Sequence, residues 1–305
     1  MANAAGAAPG GHRNGFWGFL SLPGVAWLLA LFVVPFYAIA AVAFGRLDPI
    51  LRTSDPVWSP WQWKFTAMGK VLDRVFGGDL RGVVVRTLSY VGLSLALCCL
   101  IGYPVAYYVA RHASRWRGAL LAALVLPFWI SYLMRMLAWV NLLQVDGYFN
   151  RLLGWVHLGG SRNWLDGDWP TVVIGLVYGY IPFFILPLYA ALERLDKRLI
   201  EAGRDLGASP ARVFRRITLP LSVPGLMAAS VITVLPMFGD YYTNTFLSSG
   251  SPRTEMIGNQ IERDLRGTSQ PQTGASLVLV LSAMLLVLMT YYLVVTVRAQ
   301  RAVAT

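Results

Sequence analysis

Six stretches of this chain are long and apolar enough to cross a lipid bilayer, and that constraint decides most of what it can become. They run approximately from Leu22 to Phe44, Thr87 to Ala110, Gly118 to Leu143, Val172 to Leu192, Val223 to Phe246 and Ala275 to Val297. A bilayer's hydrocarbon core is about 30 Å thick, so about 20 mainly apolar residues in a helix cross it. Every backbone N–H and C=O within lipid must find its partner inside the protein, and runs of this kind therefore become helices. The expected fold class is an all-α polytopic membrane protein with six transmembrane helices. Composition agrees: 56% of the 305 residues are hydrophobic and 13% are charged, too few polar groups to coat soluble domains of that length.

A net charge of +11 invites a nucleic-acid reading, but the basic residues lie in short segments beside the apolar runs, so the expected partner is the lipid bilayer and not nucleic acid. With the N-terminus in the cytoplasm, the inner segments hold 13 Lys and Arg in 61 positions and the outer ones 12 in 94. That bias predicts cytoplasmic N- and C-termini. Residues 1–15 read as a flexible cytoplasmic tail, 16–300 as one transmembrane domain with a cytoplasmic loop over 193–219, and 301–305 as a second tail. The sequence Ala-Val-Ala at Ala41 to Ala43 looks like a signal cleavage site, yet the run before it is longer than a signal core, which favours a retained helix. Trp58, Trp61, Trp63, Trp155, Trp164 and Trp169 fall in outer segments, as expected of rings at the headgroup level. The segment from Gly147 to Gly159 reads as a short lid on the helix ends, with a helix lying flat on the outer face as the alternative. Cys98 and Cys99 sit within an apolar run as small hydrophobes, and the three histidines have no ligand spacing, so no metal site is expected.

The loop between the fourth and fifth runs stands apart. From Glu193 to Arg216, eleven of twenty-four residues are charged. Asp196 is placed to cap a first helix whose Leu195, Leu199, Ile200, Gly203 and Leu206 fall near one face, and Gly207 suits a left-handed stop. Ser209 and Pro210 then supply the cap and first residue of a second helix that Pro220 is expected to end. Ala202 and Gly203 lack bulk, so another protein's surface is expected to approach there, with Glu201, Arg204, Asp205 and Arg212 as polar contacts.

The order Glu201-Ala202-Gly203, Gly207, nine intervening residues and Ile217-x-Leu219-Pro220 resembles the EAA loop of permease subunits of ATP-binding-cassette importers. Gly203 departs from the family's usual Ala. The resemblance implies a MetI-like permease fold and a loop, comprising Glu201, Ala202, Gly203, Arg204, Asp205, Gly207, Ile217, Leu219 and Pro220, that couples to a separate ATPase dimer. It also implies a second homologous permease subunit and an extracytoplasmic substrate-binding protein. The chain has no phosphate-loop sequence, so ATP and Mg belong to the partner ATPase, no cofactor is expected here, and the chain itself is non-catalytic.

The segments 126–143, 147–154, 177–196 and 238–261 further resemble the spermidine/putrescine permease branch. Buried charges in spans are costly and usually functional, and the runs hold two, Arg135 and Asp240. Trp129, Tyr132, Trp139, Tyr178, Tyr180, Tyr241 and Tyr242 accompany them as aromatic faces suited to alkylammonium groups. Asp240 is expected either to pair with Arg135 or to contact the cargo. Related importers of sugar, iron(III), sulfate or opine are an alternative, as is a membrane scaffold or assembly factor. A membrane enzyme would need clustered histidines or carboxylates at one depth, and Asp240 stands alone.

Overall fold

The computed structural model describes residues 13–47, 54–157, 162–266 and 271–304. The N-terminal tail expected over residues 1–15 lies outside the described residues as far as residue 12, and helix α1 (Arg13–Ala43) takes up its end. At the other terminus α13 (Pro271–Ala304) runs through most of the tail expected at 301–305. Between them α3 (Leu80–Arg111), α7 (Trp169–Glu193) and α10 (Leu219–Phe238) form the packed centre, with α7 against both α3 and α10. The side chains of Phe184, Leu188, Leu192, Cys98 and Met237 close that centre with no exposed surface. A short amphipathic α2 (Thr66–Phe76) packs on α13, and the pairing of Arg46–Leu47 (β1) with Ser54–Asp55 (β2) is a two-residue antiparallel ladder. On α1, Leu22, Trp27, Leu28, Phe32 and Val34 face outward, as do Leu286, Val287 and Leu293 on α13. An apolar face this extensive belongs against lipid or another subunit, not water.

Among the described residues five helices are long and apolar enough to cross a membrane, and the sixth span is a bent pair. The run expected as one helix over Gly118 to Leu143 is broken. Helix α4 (Arg117–Val125) tightens into a 3-10 turn at Leu126–Trp129 and stops, and the segment Tyr132–Trp155 leaves it at 91°. Pro127 withholds a backbone donor from that turn, Ile130 and Ser131 are extended, and the Ser131 hydroxyl accepts from Met134 N to start α5 (Tyr132–Leu143). After α5, helix α6 (Tyr148–Trp155) packs back on α5, pinned by Asn150 Nδ2 donating to the carbonyls of Gln144, Val145 and Arg162, and the end of the segment expected to reach Gly159 lies outside the described residues.

The fifth run breaks too. Helix α10 ends at Phe238, and α11 (Tyr242–Leu247) begins only after Gly239, Asp240 and Tyr241, so the expected span to Phe246 is in two pieces. Asp240 Oδ1 accepts the Thr243 backbone N–H at 3.0 Å and caps the new helix. Helix α12 (Ile257–Arg266) seals this break from behind. A Cβ on Gly258 would lie 2.7 Å from the Asp240 carbonyl oxygen and 2.8 Å from that of Gly239, a contact no other residue allows.

Candidate functional site

The two broken spans meet. Asp240, 5% exposed, places Oδ2 within 2.8 Å of Tyr132 Oη from α5, 3.0 Å of Tyr180 Oη from α7 and 2.6 Å of its neighbour Thr243 Oγ1. All of these hydroxyls are drawn to one carboxylate oxygen, an arrangement suited to an anion that only accepts. Among the described residues Oδ1 takes only the Thr243 amide and keeps acceptor capacity. Tyr132 reaches the carboxylate because α7 presents Gly179 to it: a Cβ there would come within 2.9 Å of Tyr132 Oη. Asn259 fixes the break from α12, donating to Tyr241 O at 2.9 Å and Thr245 Oγ1 at 3.0 Å and accepting from Asn244 Nδ2 at 3.1 Å.

Around this junction the rings gather. Tyr132 lies 6.1 Å from both Tyr180 and Tyr242, Tyr242 stacks on Tyr241 at 4.1 Å, and Trp139 meets Tyr178 edge-on at 5.2 Å. Trp129 does not join them; it stands 83% exposed in the turn before the first break. Arg135 is 8% exposed, but the expected ion pair with Asp240 is absent among the described residues. Its guanidinium instead lies over the ring of Phe128 at 4.1 Å, with Tyr132 at 5.1 Å and Tyr178 at 6.0 Å. The hydroxyls of Tyr132, Tyr180 and Thr243 take Oδ2 of Asp240, while the guanidinium is held by ring faces. Phe128, Thr243 and Asn259 escaped the sequence reading, although Asp240 is itself a residue type that starts helices.

The charged loop folds as its punctuation predicts at three points. Asp196 Oδ1 accepts Arg198 N at 2.9 Å and caps α8 (Lys197–Asp205). Gly207, at φ +77°, ends it: Gly207 N donates to Arg204 O at 2.8 Å and Ala208 N to Gly203 O at 3.1 Å, the paired bonds of a Schellman stop. Extended Ser209 and then Pro210 open α9 (Pro210–Val213). Pro220 does not stop the helix. The chain continues through a π turn at Phe214–Thr218 into α10, with Leu219 N bonded five residues back to Phe214 O. Pro220 has no N–H for the Arg216 carbonyl, and the widened turn accommodates that lost bond.

The expected single apolar face of α8 divides. Gly203 is buried inside the loop, where a Cβ would meet Ile217 Cδ1 at 2.7 Å, so its smallness serves the loop's own packing and not an outside surface. Leu195 and Ile200 are half-buried, while Leu199 and Leu206 are exposed, Leu206 by 88%. Glu201, Ala202, Arg204, Asp205 and Arg212 are exposed beside them, and none of their charges has an ion-pair partner among the described residues. Arg111 Nη2 donates to Leu195 O at 3.0 Å and ties the loop's entry to α3.

A bundle of membrane helices with a polar, ring-lined junction between two broken spans, carrying an exposed charged loop at one end, defines the class of integral-membrane transport permeases. The chain belongs to the family of binding-protein-dependent transport system inner membrane components, whose profile matches residues 102–303. The spermidine/putrescine transport system permease protein PotB of Haemophilus influenzae is 34% identical over 239 residues, 78% of this chain and 79% of that protein. PotB of Escherichia coli strain K12 is 34% identical over 209 residues, 67% of this chain and 75% of that protein. Among solved structures, a bacterial alginate ABC transporter in complex with an alginate pentasaccharide-bound periplasmic protein shares the fold, with TM-score 0.69 at 20% identity over 92% of this chain and 93% of that one.

Proposed function

We propose that this chain forms half of a polyamine pathway across a bacterial inner membrane, with both termini cytoplasmic, and that a separate ATPase drives it through the loop over 193–219. A second homologous permease subunit completes the pathway, an ATPase dimer carries ATP and Mg, and an extracytoplasmic binding protein delivers spermidine or putrescine. The relatives' names support the cargo. The observation that carries it is the buried Asp240 carboxylate in a ring-lined junction of two broken spans. Oδ1 keeps acceptor capacity for an ammonium N–H, and each ring face adds attraction of about 0.5–2 kcal/mol for a desolvated cation. In the loop, Glu201, Ala202, Arg204 and Asp205 meet the ATPase beside Leu199 and Leu206. Gly203, Gly207, Ile217, Leu219 and Pro220 hold that surface in shape.

The test is Asp240→Asn in the reconstituted transporter. It keeps the shape and removes the charge, so ATP-driven putrescine uptake falls at least tenfold while the ATPase still co-purifies. Uptake at the wild-type rate and affinity, at matched expression, refutes the role of Asp240.

A further inference from the structure

Arg135 is buried to 8% exposure, and its Nε and Nη1 have no hydrogen-bond partner. These two nitrogens carry three of the guanidinium's five N–H donors, and leaving them unpaired inside a protein is expensive. What surrounds this one is ring: Phe128, Tyr132 and Tyr178 lie at 4.1, 5.1 and 6.0 Å from Cζ. Phe128 is braced edge-on by Phe183 at 6.2 Å, and Tyr178 by Trp139 at 5.2 Å, so the cage is built by α5, α7 and the turn between α4 and α5 together. Such a cage recognises an organic cation by charge and ring face, without a carboxylate.

We propose that the Phe128–Tyr132–Tyr178 cage is an alkylammonium subsite of the pathway, and that in this conformation Arg135 occupies it as a tethered plug. The ring of Tyr132 lines the cage while its hydroxyl binds Asp240, so one side chain joins the two places where a cation is stabilised. A diamine has an ammonium for each. Arg135, on a flexible stem, leaves as the cargo's ammonium arrives and returns behind it, keeping the cage filled by one positive charge at a time. The identity of the cargo rests on the polyamine reading; the cage's preference for a cation does not.

The experiment measures equilibrium binding of radiolabelled methylguanidinium to the complete transport complex in lipid nanodiscs. Arg135→Ala empties the cage and binds methylguanidinium saturably, at least tenfold tighter than wild type, while N-methylurea, its neutral isostere, does not compete. Arg135→Lys retains a tethered cation and excludes the probe as wild type does. Adding Phe128→Leu to Arg135→Ala weakens binding about tenfold, the size of one good ring contact. Arg135→Ser leaves a similar vacancy and carries the test if Arg135→Ala does not assemble. Equal binding by wild type and the emptied variant, or competition by N-methylurea, overturns the plug. Putrescine competes in the emptied variant if both readings hold; probe binding that putrescine leaves untouched supports the cage and refutes the polyamine cargo.

Discussion

Substituting Gly207 separates two reasons a glycine can sit at the tip of the proposed docking loop. Its φ is +77°, and a Cβ built there meets nothing within 4 Å, so within this chain the penalty for a side chain comes from the backbone alone. An L-residue in that left-handed region loses about 1–2 kcal/mol, asparagine loses less, and β-branched valine loses more. The Schellman bonds from Gly207 N and Ala208 N fix the exit of α8, so the strain falls on the shape that presents Leu206, Glu201 and Asp205. At about 1.4 kcal/mol per tenfold, Gly207→Ala weakens the ATPase's equilibrium affinity for the detergent-solubilised permease roughly 5- to 30-fold, with Gly207→Asn closer to wild type and Gly207→Val worse. Had the glycine been needed so that the ATPase could approach closely, the larger asparagine would bind worse than alanine. An order with Gly207→Asn below Gly207→Ala, or wild-type affinity for both Gly207→Ala and Gly207→Val, refutes the backbone argument.

Two further outcomes follow, one from the proposed orientation and one from the fold. A cysteine at exposed Ser209 reacts with a membrane-impermeant maleimide only from the cytoplasmic side and one at exposed Ser249 only from outside; the reverse pattern inverts the topology and removes the loop from any cytoplasmic ATPase. Asn259→Ala loses its bonds to Tyr241 O and Thr245 Oγ1 and strands Asn244, lowering the stability of the break by about 2–3 kcal/mol; an unchanged unfolding midpoint for the complex contradicts that role.

Hydropathy made the six spans legible, because runs of twenty apolar residues have few alternatives in lipid. It did not reveal the breaks. Averaging over a window conceals the fact that Pro127 and Ser131 interrupt the third run and Asp240 the fifth, even though each carries a helix-start signal readable at the level of single residues. The loop was legible at Asp196, Gly207 and Ser209, where local backbone chemistry acts alone. It misled at Pro220, because a π turn absorbs the missing donor, and at Gly203, whose contact with Ile217 depends on packing across fourteen residues of chain. The same limit explains Arg135. Opposite charge allowed a pair with Asp240, with cargo contact as the alternative, but Tyr132 and Tyr180, 108 and 60 residues from Asp240, take its Oδ2, and Arg135 lies among rings instead.

ATP-driven uptake by proteoliposomes holding this chain with its partner permease, ATPase and binding protein tests the central claim most directly. Radiolabelled putrescine should accumulate on the side that holds ATP, with excess unlabelled spermidine suppressing the signal and sulfate, iron(III) or sugar leaving it unchanged. Accumulation of one of those other solutes, with putrescine excluded, contradicts the polyamine pathway.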